Sequence, residues 1–229
     1  MDILLWAPVL LFSVVAHERA HATSAYRQGD DTAYLLGRTT WNPLKHLDPI
    51  MSVAFPLLLW VTSGHRMIFG AAKPVPVNPQ KFKHYRRGDI IVSLAGIAAN
   101  LTLFVLCAAL YVLVNLLGTV LPAVAHVVQQ MMWWGMSINL LLAFFNLIPI
   151  PPLDGSHVLY HLLPPQLGLE YRKLNRFGYL LVLALVFFAP GALNVLLWPM
   201  DQLLSLTSAL IRGFTVGGAI ALARQSIPP

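Results

Sequence analysis

The chain has 229 residues, of which 57% are hydrophobic and 10% charged, and a formal charge of +6. Soluble domains carry about 25% charged residues, so charge this sparse, gathered between long apolar runs, excludes an ordinary soluble fold and places the chain in lipid. Nucleic acid is excluded as a partner, because Lys and Arg fall in loops beside apolar runs rather than on a basic helix with base-stacking aromatics.

In chain order, the first apolar stretch runs from Ile3 to Ala25. Its part from Ile3 to Ala16 resembles a signal-peptide core, but Asp2 replaces the positive start and no small-residue cleavage site precedes His17, so it is expected to stay as a helix. Loop 26–48 holds Ala33-Tyr34-Leu35-Leu36 and Thr39-Thr40-Trp41 about Gly37-Arg38, which predicts a short strand pair. Ile50 to Val61 is about half a span long, contains Pro56 and ends in Thr62-Ser63-Gly64-His65-Arg66, as suits a re-entrant segment. Loop 73–89 opens with KPVPVNP, whose prolines impose an extended chain.

Further spans are expected at Ile90–Leu117, Val128–Ile148, Phe177–Trp198 and Leu203–Leu222, giving an all-α polytopic bundle of about five spanning helices in a single domain, 1–229. The lone Cys107 lies inside one of these runs, so disulfides are excluded.

Charge placement orients this bundle. With Ile50–Val61 re-entrant, loops 26–48, 73–89 and 151–176 share one side and hold Arg27, Arg38, Lys45, Lys73, Lys81, Lys83, Arg86, Arg87, Arg172, Lys173 and Arg176. The opposite loops, 118–127 and 199–202, hold neither Lys nor Arg. The expected topology is therefore a multi-pass protein of the cell (inner) membrane, with its N-terminus outside and its C-terminus and charged loops in the cytoplasm.

His17-Glu18-Arg19-Ala20-His21 fits H-E-x-x-H at the end of the first apolar helix. Residues i and i+4 share a helix face, so both imidazoles can bind one metal, while Glu18 reaches an activated water without ligating. A catalytic zinc needs a third protein ligand and an open position. Asp154, in Asn146-Leu-Ile-Pro-Ile-Pro-Pro-Leu-Asp154-Gly155, is the best-placed candidate because it shares the cytoplasmic depth of His17 and His21. Pro149, Pro151 and Pro152 break the preceding helix and Gly155 permits a sharp turn. His157 and His161, spaced i, i+4, offer an accessory pair, and His65 a polar tip on the re-entrant turn. His126 and Asp201 fall on the outer side.

H-E-x-x-H paired with N-x-x-P-x-P-P-L-D-G resembles the site-2 protease family of intramembrane zinc metalloproteases. LGRTTWNPLKHLDPI, AAKPVPVNPQKF and SLAGIAANL are similar to its small bacterial branch without appended PDZ or CBS domains. The resemblance implies one Zn2+ per chain on His17, His21 and Asp154, with general acid/base work by Glu18. It places Asn146 near the metal as a substrate-positioning amide; the alternative is hydrogen bonding to backbone at the proline break. Asn100 matches a family Asn and is assigned to helix packing. Three positions depart from the family pattern: Arg19 where it is usually apolar, Ala22 where Gly is common, and Ile97 where Pro is usual.

The expected activity is hydrolysis of peptide bonds in or near transmembrane segments of a protein or peptide substrate within the lipid bilayer. The substrate unwinds locally first, and the loop 26–48 strands or the extended segment from Lys73 to Pro79 could bind it by strand addition. Homo-oligomerisation stays open. The alternative function is an inactive metal-binding scaffold that holds client helices; Glu18 discriminates, since a pure binding site has no use for a non-ligating carboxylate beside its first His.

Overall fold

A computed structural model of the protein describes residues 3–54, 58, 61, 70, 72–118 and 120–212. Every element among them is helical: α1 (Ile3–Gln28), α2 (Thr32–Leu35), α3 (Tyr85–Leu117), α4 (Pro122–Leu147), α5 (Asp154–Leu162), α6 (Pro165–Arg172), α7 (Gly178–Phe188) and α8 (Pro190–Ile211), with short 3-10 and π turns between. The chain forms two compact units: residues 1–13 with 97–229, and residues 14–96. α1 and α3 each contribute residues to both.

In the first unit, Phe104 and Tyr111 of α3 pack with Met136 and Leu140 of α4 and Ile211 of α8. Beside this apolar core lies a buried polar cluster. The Asn100 amide donates to Asn139 Oδ1 at 2.8 Å, and the Asn139 amide donates to Ser13 Oγ at 2.9 Å and to the Gly135 carbonyl at 2.8 Å. Asn100 is thus a helix-packing residue, as expected.

In the second unit, small residues let the backbone approach closely. Ala22, fully buried, packs with Ala33 and Val75; Ala25 packs with Phe82 and Val92. Ala22, at a position where the family often has Gly, therefore fills a tight contact. The Arg19 guanidinium lies 4.5 Å over the Trp41 ring, a cation–π contact.

The predicted strand pair is absent among the described residues, and Ala33–Leu35 is helical instead. Asp30 accepts the N–H of Thr32 at 3.0 Å, and Gly37 takes φ 64 so that Gly37 and Arg38 donate to the carbonyls of Tyr34 and Ala33. This αL closure satisfies the orphan carbonyls that a strand would have paired laterally. The expected re-entrant segment begins as a π-helical turn, Pro49–Ala54; the rest of it, apart from 58 and 61, and Thr62–Arg66 with His65 lie outside the described residues.

Among the described residues, α1 and 85–115 of α3 are long and apolar enough to cross a membrane, or three spans if the bent pair 165–188 and 190–211 counts as one. α4 has 26 residues, roughly 39 Å at 1.5 Å each, but Gln129, Gln130 and Asn139 lower its mean hydropathy. The expected span Phe177–Trp198 is broken at Ala189, where the two arms meet at 92°. Pro190 has no N–H to continue the helix and favours a new N-terminus. Residues 199–202, expected as a loop, instead lie inside α8.

Candidate metal centre

Helical spacing puts Ser13, His17, His21 and Ala25 on one buried stripe of α1. The Nε2 atoms of His17 (7% exposed) and His21 (8% exposed) lie 3.0 Å apart, with the rings edge-on at 79°. Two imidazole nitrogens about 2.0–2.1 Å from a tetrahedral zinc stand roughly 3.3 Å from each other, so this pair suits a shared zinc. The Nδ1–H of His21 donates to the Val92 carbonyl at 2.8 Å, which turns the Nε2 lone pair toward His17.

Gly96 of α3 makes the pair fit. A Cβ there would stand 2.4 Å from His21 Nε2 and 2.7 Å from His17 Nε2. The missing side chain leaves the space beside both nitrogens open, as an ion needs. Sequence reasoning did not single out Gly96; the available signal was a glycine in the middle of a long helix, which points to close approach.

Glu18 occupies the neighbouring position on α1, and its Oε2 accepts the N–H of Val75 at 2.8 Å. Residues 73–78 are extended, as their prolines predict, but they offer little to an added strand. Lys73 donates to the His46 carbonyl, Val75 to Glu18 and Asn78 to Asp30, while Pro74 and Pro76 have no N–H. Three of the four N–H groups between Lys73 and Asn78 are thus engaged within the protein, which leaves little of the ladder that strand addition would need.

Asp154 and Asn146 belong to the first unit. Asp154 is half-buried and opens α5 directly after Pro151-Pro152-Leu153. Gly155 is helical rather than left-handed, so its role differs from the expected sharp turn. A Cβ on Gly155 would meet the Leu147 carbonyl oxygen at 2.1 Å, so only glycine lets α5 start against the end of α4. Tyr171 donates its hydroxyl to the Pro149 carbonyl at 2.9 Å, tying α6 to the proline segment. Asn146 donates to the Leu142 carbonyl one turn back within α4 at 2.9 Å, not to backbone at the proline break. His157 lines a cleft of about 260 Å³ with Tyr160, Tyr171 and Arg172, and His161 is buried with its ring beside Tyr160.

YwhC of Bacillus subtilis (strain 168), named as a zinc metalloprotease, is 38% identical over 209 residues, covering 89% of this chain and 90% of its own length. The sequence model of peptidase family M50 matches residues 117–189. The chain belongs to peptidase family M50. Rip2 of Mycolicibacterium smegmatis is 33% identical over 180 residues, 77% of this chain and 64% of its own length. Rip2 of Mycobacterium tuberculosis is 32% identical over 189 residues, 80% of this chain and 66% of its own. No solved structure matches. Family M50 is the site-2 protease family, so the protein is a zinc metalloprotease, and its apolar helices make it a membrane protein.

Proposed function

We propose that this M50 member hydrolyses peptide bonds in or near the transmembrane segments of membrane-protein substrates, as one integral membrane domain with one zinc per chain on His17, His21 and Asp154. The observation that carries the reading is the His17–His21 pair, its Nε2 atoms 3.0 Å apart beside the space that Gly96 leaves. Two imidazoles and a carboxylate are the donor set of open catalytic zinc sites. Zinc, when bound, supplies Lewis-acid activation of a water and of the scissile carbonyl.

Glu18 takes the proton of the attacking water and passes it to the leaving amine. Its adjacency to His17 and its carboxylate chemistry support that role. Asn146, in the same stretch as Asp154, would steady the substrate carbonyl if its amide left Leu142. A helical substrate hides its carbonyls in its own hydrogen bonds, so it must unwind before attack.

About five membrane passages, with the N-terminus outside and the active-site side cytoplasmic, fit the charge pattern. Residues 177–211, which contain the break at Ala189, hold no Lys or Arg, so the asymmetry outlasts the loss of the 199–202 loop.

The test is zinc analysis of purified protein together with cleavage of candidate membrane substrates in liposomes, for wild type and Glu18→Gln. Retained zinc with abolished cleavage supports the enzyme reading. Unchanged cleavage removes Glu18 as the base, and a wild type without bound zinc removes the site.

A further inference from the structure

Among the charged side chains that the second unit buries, and that the zinc chemistry does not use, are Asp30 and Arg38. Asp30 is fully buried and Arg38 is 7% exposed. A buried charge is costly unless hydrogen bonds engage it, and both are engaged on the same short segment of backbone. Arg38 donates one guanidinium nitrogen to the carbonyls of Lys73 and Pro74, at 2.8 and 3.3 Å. Asp30 accepts the N–H of Asn78 at 2.7 Å with one oxygen, while the other holds the start of α2 through Thr32. The His46 carbonyl adds a bond from the N–H of Lys73 at 2.9 Å. Residues 73–78 are thus fastened at both ends, and prolines at 74, 76 and 79 stiffen what lies between.

In the middle of this fastened segment, between two prolines that have no N–H, Val75 presents a single donor. That donor meets Glu18 Oε2 at 2.8 Å. A carboxylate on a flexible side chain is an effective base only while it stays within hydrogen-bond reach of the water proton. One oxygen of Glu18 is anchored on the segment and the other stays available to act.

We propose that Arg38 and Asp30 are positioning residues for hydrolysis: they fasten residues 73–78 so that the Val75 N–H holds the Glu18 carboxylate in place. The inference rests on Glu18 being the general base. The two buried charges act on the reaction through backbone and touch neither substrate nor metal. Their removal slows turnover without weakening substrate binding or zinc binding. Lysine at 38 can also present N–H groups to these carbonyls, but from a more flexible stem without the rigid planar guanidinium, so it restores part of the loss.

The experiment compares wild type, Arg38→Ala, Arg38→Lys, Asp30→Asn and Val75→Pro in liposomes, measuring kcat, KM and zinc content. Amide exchange of the peptide spanning 73–78 is followed in the same proteins. Val75→Pro deletes the donor to Glu18 and keeps the chain extended. The expected result is kcat lowered about 10- to 100-fold in Arg38→Ala and Val75→Pro, with KM and zinc within about twofold of wild type. Arg38→Lys recovers part of kcat, and exchange of the 73–78 peptide quickens in Arg38→Ala and Asp30→Asn. Should Val75→Pro fail to fold, the Arg38 pair and the exchange rates decide alone.

If Glu18→Gln abolishes cleavage while Arg38→Ala and Val75→Pro keep wild-type kcat, the positioning role is overturned and the base assignment survives. Zinc lost together with activity in Arg38→Ala also overturns it, since the residue would then merely hold the unit together. Full activity in Glu18→Gln overturns the base assignment itself.

Discussion

His21 and Val92 stand 71 residues apart in sequence, yet the ring Nδ1–H of one donates to the carbonyl of the other at 2.8 Å. This contact fixes the tautomer of His21 and the direction of its Nε2 lone pair. It also ties α1 to α3 one turn away from Gly96. The same stretch of α3 therefore aims the imidazole and leaves the room in front of it.

Gly96→Ala follows directly. The added methyl would lie 2.4 Å from His21 Nε2, closer than any real contact, and both rings would have to swing away. We expect zinc content in the purified protein to fall at least about tenfold, with cleavage falling in parallel. Overpacking also costs about 1–3 kcal/mol of stability, read from thermal melts. An unaltered zinc content would show that Gly96 does not shape the site.

What the sequence could reveal was local. The i, i+4 spacing of His17 and His21, the proline break before Asp154 and the extended KPVPVNP stretch each follow from a few neighbouring residues. The contacts that hold Glu18, Asp30 and Arg38 join residues 35 to 57 positions apart, and no periodicity announces such pairs. Local cues also misled. Tyr34, Leu35 and Leu36 favour strand, but Asp30 and Gly37 close that segment as a helical turn. Pro199 and Asp201 suggest a loop, but α8 runs through them, and the real break comes at Pro190 inside a uniformly apolar run.

Gly155→Ala tests the start of α5. A Cβ would be driven to 2.1 Å from the Leu147 carbonyl oxygen, a backbone atom that cannot rotate aside. The first turn of α5 must then lift, carrying Asp154 with it. Stability is expected to drop by about 1–3 kcal/mol, and cleavage to fall well beyond what that loss would cause. Denaturant or thermal melts beside a zinc assay separate the two effects.

Asn139→Ala should expose the value of the buried amide cluster. The substitution removes both donors of one amide, takes the Asn139 donor from the Ser13 hydroxyl and takes one acceptor from the Asn100 amide, which keeps the Ser13 carbonyl at 3.4 Å. Interhelical hydrogen bonds in membranes average only about 0.6 kcal/mol, but buried groups left unpaired cost about 1–3 kcal/mol. The second term dominates here because three polar side chains share the cluster. A loss of about 1–3 kcal/mol is expected for Asn139→Ala, and a smaller one for Ser13→Ala, measured by unfolding in micelles.

Asp48 supplies the pH prediction. Its carboxylate accepts the N–H groups of Ile50 and Met51 at 2.9 and 2.8 Å, while Ser52 Oγ accepts its own N–H at 2.9 Å, so the turn Pro49–Ala54 is capped at both sides of one residue. The Met51 and Ile50 N–H groups, with the Lys73 charge a smaller contribution, hold the carboxyl below its ordinary value of 3.8. A depressed value in the folded chain means that the cap is complete at all pH above about 4 and is lost as pH falls through the lowered value. The amide resonances of Ile50 and Met51 should thus stay fixed between pH 7 and about 4 and move together only in stronger acid. Asp48→Asn keeps one acceptor oxygen and has nothing to titrate, so it should keep part of the cap and abolish the acid transition. Amide shifts that move near pH 6 would show that another group controls this turn.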